Sequence, residues 1–79
     1  MAEQPPQVNG FRLGRVLEQQ GWLLDRQRGS HAHYILRGPD GRLSGRVIVP
    51  MHRHPIPPGT LRNILRQANM TVDQLRAIL

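Results

Sequence analysis

The 79-residue chain contains no cysteine and no lysine, and it has a single tryptophan, a single tyrosine and a single phenylalanine. Without cysteine there is no disulfide, no thiolate metal ligand and no thiol nucleophile, which fits a reducing compartment. No stretch approaches the ~18 consecutive apolar residues of a membrane span. The N-terminal MAEQPPQVNG has neither a basic nor an apolar signal region, so secretion and membrane insertion are not expected and the cytoplasm is. With an apolar fraction of 38%, there is material for one small core and no second domain. A chain of this size buries only ~60–65% of the surface it exposes when unfolded.

Acidic residues are also scarce. Five face eleven basic ones, and all eleven are arginine, for a net charge of +6. A guanidinium is planar, always charged and matched to phosphate in bidentate geometry. Arginines spread from Arg12 to Arg76 therefore point to a polyanionic partner, either nucleic acid or an acidic protein that mimics it.

Residues 1–8, with Pro5 and Pro6 and no periodicity, read as a flexible N-terminal tail, and residues 9–79 as a single domain. From Asn9, a cap, the spacing of Leu13, Val16, Leu17 and Gln20 predicts a helix that stops at Gly21; Gly14 weakens it. Trp22–Gln27, His31–Arg37 and Arg42–Val49 read as strands. They are joined by Arg28-Gly29-Ser30 and by the turn Gly38-Pro39-Asp40-Gly41. Connections this short make an antiparallel meander. The prolines of PMHRHPIPPG forbid regular structure. Thr60 then caps a helix with Leu61, Ile64, Leu65 and Ala68 on its apolar face, which Asn69 ends. Thr71-Val72-Asp73-Gln74 has capping-box spacing and opens a last short helix. This is an α+β architecture: a three-stranded antiparallel sheet with helices on one face and the other face open.

The histidines fall in two pairs, His31/His33 and His52/His54. Alternation along a strand separates His31 and His33 from Ala32, Tyr34 and Leu36. The second set is the more apolar and faces the helices, which leaves both histidines on the open face, where imidazole suits acid–base work. Arg26 and Arg28 bring cationic donors beside His31. Gly29 suits a positive φ, and Ser30 fits a turn and also offers a hydroxyl to a phosphate. Two H-x-H pairs also raise a zinc-bound structural reading, but the spacing is a weak signal and no carboxylate or cysteine accompanies it. Trp22 belongs in the core of a domain with so few large apolar residues.

The run Gly21-Trp22, Asp25-Arg26-Gln27-Arg28-Gly29-Ser30-His31 with Tyr34, Val47-Ile48-Val49-Pro50 with His52, and Gly59-Thr60-Leu61-Arg62-Asn63-Ile64-Leu65-Arg66-Gln67-Ala68 resembles the HicA (YcfA-like) toxin family. The resemblance implies a double-stranded-RNA-binding-domain-like α-β-β-β-α fold. It further implies a ribosome-independent mRNA endonuclease of a type II toxin–antitoxin system, neutralised by a cognate HicB-like antitoxin whose complex sets the oligomeric state. The family's catalytic histidine, in its G-S-H motif, falls on His31. Contacts to RNA and phosphate are then expected from Arg26, Arg28, Gly29, Ser30, His33 and His52. No cofactor and no metal are expected. Family members often carry a basic and then an acidic residue before the G-T-L motif, whereas His54 and Pro55 stand here. The alternative function is a non-catalytic RNA- or DNA-binding module, for which a charge of +6 and this layout suffice.

Overall fold

The computed structural model describes residues 4–79. The element order is α1 (Gly10–Gln19), β1 (Leu23–Arg28), β2 (His31–Arg37), β3 (Leu43–Pro50), α2 (Pro58–Gln67) and α3 (Val72–Ile78). The strands form one antiparallel sheet in the order β1-β2-β3, so β2 is central. This is the α+β, α-β-β-β-α arrangement expected of a double-stranded-RNA-binding-like domain, with α3 appended.

Local chemistry explains most element ends. The Asn9 side chain accepts a hydrogen bond from the Arg12 amide at 2.9 Å and so caps α1. At its other end the Trp22 and Gly21 amides return to the Leu17 and Glu18 carbonyls at 3.0 and 3.1 Å, with Gly21 at φ 95°. That is a Schellman motif, and its apolar partners Trp22 and Leu17 both lie in the core. Helix α2 ends the same way, Met70 and Asn69 donating to Leu65 and Arg66, with Asn69 in the left-handed region at φ 56°. The Thr71–Gln74 capping box at the start of α3 is present in both directions.

Alternation along β2 turns Ala32 and Tyr34 inward, and Val47 and Val49 do the same from β3. Onto them pack Leu13, Val16 and Leu17 of α1 and Leu61, Ile64 and Leu65 of α2, while Leu75 of α3 and Trp22 close the cluster. Two of the close approaches in this packing show how it depends on missing side chains. A methyl group on Gly10 would overlap the Pro50 carbonyl oxygen at the end of β3. One on Gly45 would meet the edge of the Trp22 ring at 2.7 Å.

Several boundaries and placements differ from the sequence-based expectation. The tail reading of residues 1–8 is corrected for its described part, residues 1–3 lying outside the described residues. Pro5 is buried, Val8 is a core residue, and the Val8 carbonyl accepts the Ile56 amide at 2.8 Å. One apolar side chain without periodicity is invisible to a pattern search, yet it docks. Trp22 leaves the first strand for the core, Arg28 joins that strand, and β3 runs one residue later, from Leu43 to Pro50. Helix α2 begins at Pro58 without a side-chain cap, so Thr60 is not its cap. Proline in the first turn lacks the N–H that a cap would satisfy, and its φ is already helical.

Replacing Gly10 by alanine is expected to destabilise the fold by about 1–3 kcal/mol through overpacking, although alanine is the better helix former. Urea titration should show a lowered midpoint at unchanged slope. The buried Tyr34 phenol has its pKa pushed up, first by desolvation and then by the Glu18 carboxylate. The folded state thus keeps the phenolic proton at pH values where the unfolded chain has begun to lose it. Stability is retained below pH ~10 and falls as pH rises past that value. Thermal melts from pH 9 to 11.5 should show this decline, and Tyr34→Phe should lessen it.

Candidate functional site

The open face of the sheet is built by register. His31 lies opposite Arg28 on β1 and Pro50 on β3; His33 lies opposite Arg26 and Ile48; Ile35 lies opposite Leu23 and Arg46. Directly opposed residues place their Cβ atoms about 4.5–5.5 Å apart. The two histidines therefore form a column in the middle of the sheet with two arginines along one side. His31 is exposed and His33 half-buried, as the alternation predicted.

A bulge decides the charge of this face. The pairing shifts between Leu24 and Arg26, leaving Asp25 as the extra residue. Strict alternation from Leu23 would have set Asp25 and Gln27 opposite the histidines. With the bulge, Arg26 and Arg28 take those places instead. No hydrogen bond or ion pair among the described residues engages the side chains of Arg26, Arg28, Ser30 or His31.

Gly29 and Ser30 form the two-residue turn that joins Arg28 to His31. Gly29 has φ 56°, whereas Ser30 stays at negative φ, the pattern of a type II′ hairpin turn. A Cβ on Gly29 would meet nothing, so the backbone conformation is what requires glycine there. The Ser30 carbonyl accepts the Met51 amide at 2.6 Å, extending the β2–β3 pairing beyond His31.

That extension delivers the proline loop to the same end of the sheet. His52 follows Pro50, the partner of His31, by two residues. Its ring stacks on that of His54 with centroids 5.0 Å apart and planes 10° from parallel. Beside them a groove of about 260 Å3 is lined by Pro50, His52, His54, Ile56, Pro57 and Thr60. Two tethers hold the loop: the Ile56 amide to Val8, and the Asn9 side-chain amide to the Arg53 carbonyl at 3.4 Å. Among the described residues no group of three or more His, Cys, Asp or Glu side chains is placed to hold a metal ion, and stacked rings do not converge on one. A larger cavity of about 550 Å3, lined by Trp22, Leu36, Met70 and Ile78 among others, contains none of these residues.

Of the residues expected at a site, Arg26, Arg28, Gly29, Ser30, His31 and His33 come together on one hairpin, and His52 lies on the adjoining loop. His54 was absent from that expected set. Its only sequence signal was the second H-x-H pair, and ring stacking gives that pair a geometry the spacing did not disclose.

A bare, arginine-bearing sheet face on an α-β-β-β-α frame defines a small domain of the double-stranded-RNA-binding-like class. A family model described as HicA toxin of bacterial toxin-antitoxin matches residues 12–70, and the chain belongs to the HicA toxin family. Membership makes it the toxin half of a toxin–antitoxin pair, with an antitoxin as partner. No curated protein matches the chain. No described helix is long and apolar enough to cross a membrane.

Because Asn9 both caps α1 and holds the Arg53 carbonyl, Asn9→Ala should cost about 1 kcal/mol in stability. It should also free the loop, which limited trypsin digestion will register as faster cleavage after Arg53 than in the parent.

Proposed function

We propose that this toxin is a metal-independent endoribonuclease that cleaves mRNA in the cytoplasm without the ribosome, with His31 as its catalytic histidine. The observation that carries this reading is the pairing of exposed His31 with Arg28 across a tight turn. It sets an imidazole beside a guanidinium that, among the described residues, no carboxylate occupies.

RNA brings its own nucleophile, the 2′-hydroxyl. The reaction needs a base to take that proton, cationic donors for the five-coordinate phosphorus, and an acid for the departing 5′-oxygen. His31 serves as the base or the acid. Arg28 and Arg26 stabilise the added negative charge, Gly29 and Ser30 shape the turn against the phosphate, and His33 or His52 is the second proton carrier. The 2′-oxygen attacks phosphorus as the bond to the 5′-oxygen breaks, leaving a 2′,3′-cyclic phosphate and a 5′-hydroxyl. No metal is required, because the nucleophile is internal and the charge is met by arginine.

The antitoxin silences the toxin by covering this face, its carboxylates pairing with several of Arg26, Arg28, Arg37 and Arg46. Exposed Leu23 and Ile48 on the same face add apolar surface to such a contact. RNA and antitoxin then compete for one site.

His31→Ala should lower RNA cleavage ~10²–10⁴-fold, the usual worth of general acid–base catalysis. Stability should change by no more than about 0.5 kcal/mol, because the side chain is exposed. Cleavage should survive EDTA, and an oligonucleotide with deoxyribose at the scissile position should resist. Undiminished cutting by the alanine variant would remove His31 as the catalytic histidine, whereas RNA binding with no cutting by the wild-type chain would leave a non-catalytic RNA-binding module as the better reading.

A further inference from the structure

His54 has no assigned role, and its parallel stacking on His52 differs from the geometry of two surface histidines that merely share a loop. We propose that the pair is a stacking platform for an unpaired RNA base adjacent to the phosphodiester held at His31, an inference that rests on the nuclease reading of that histidine.

Three observations support it. The first is the surface itself. Both residues are exposed and their rings lie 5.0 Å apart at 10°, a stack that a third planar group arriving from solvent would extend. A nucleobase is such a group, and histidine is among the side chains on which splayed bases stack.

The second is rigidity. Ile56 is buried and its amide is held by Val8, the Arg53 carbonyl is held by Asn9, and Pro55 and Pro57 restrict the backbone between the platform and α2. A platform ordered before the ligand arrives loses little further entropy on binding. The third is position and charge. His52 follows Pro50, the cross-strand partner of His31, by two residues, a reach of about 7 Å along extended chain. Exposed Arg53 lies between the two histidines and brings a cation for the RNA backbone. A planar surface beside cationic side chains is the combination that binds single strands, whose bases are free to stack outward. Bases inside a duplex cannot reach it. The platform thus selects single-stranded substrate on a frame that resembles a duplex binder.

His54 is the residue to test, since the chain departs from the family pattern there. Binding is measured with the full chain carrying His31→Ala, so that RNA stays intact, using a labelled single-stranded oligoribonucleotide and the same oligonucleotide annealed to its complement. Adding His54→Ala should weaken single-strand binding about 5- to 150-fold, the range of base–aromatic stacking, while His54→Phe should stay within about twofold of the parent and duplex binding should hardly move. Unchanged single-strand affinity in His54→Ala overturns the platform, as does an equal loss for single strand and duplex, which would mark a general electrostatic contact. An effect confined to an acidic polypeptide, with RNA affinity intact, overturns it in favour of a protein contact. Cleavage of the same oligonucleotide by the wild-type chain tests the His31 reading separately, because the platform is read from binding with His31 already replaced.

Discussion

The close approach of the N-terminus of α1 to the C-terminal end of β3 is the contact on which the rest of the molecule depends. Gly10 has no side chain, so the helix backbone can lie against the Pro50 carbonyl. Asn9 turns one face of its amide to the helix and the other to Arg53, and the Val8 carbonyl takes the amide of Ile56. Three consecutive residues thereby start a helix, admit it to the sheet and hold a loop that has no secondary structure of its own. Prolines cannot donate to a ladder, so such a loop must find its partners one group at a time. Here it finds them in the segment just before α1.

The same seam separates the two uses of the sheet. On the inner face, Ala32, Tyr34, Val47 and Val49 are sealed under α1 and α2, and this burial stabilises a chain with few large apolar residues. The outer face carries no helix and is left to solvent. Its central strand presents the histidines, and β1, exposed along its whole length, presents solvated arginines. An edge strand with a bulge and charged side chains also resists pairing with another edge, so the feature that makes the face cationic also guards that edge.

The bulge at Asp25 has consequences well beyond its size. A shift of one residue exchanges the two faces of a strand. Without it, a carboxylate would oppose His33 and offset part of the positive charge that the arginines bring to this face. With it, both guanidinium groups meet the histidine column and the carboxylate sits at the irregularity.

The sequence by itself determined the elements whose signals act within a turn or two of chain. Asn9 and Gly21 bound α1, Thr71 and Gln74 box the start of α3, and alternation along His31–Arg37 separates histidines from core residues. The basic composition and the G-S-H run also needed no structure to be read. Tertiary structure decided what lies between distant residues. Val8 and Ile56 joined the core, Asn9 reached Arg53 across 44 residues, the bulge chose which side chains of β1 share a face with His31, and His54 turned its ring onto His52. Caps and turns are written in neighbouring side chains, so sequence discloses them. Register and docking are settled by which distant surfaces bury best against each other, a competition no local pattern records.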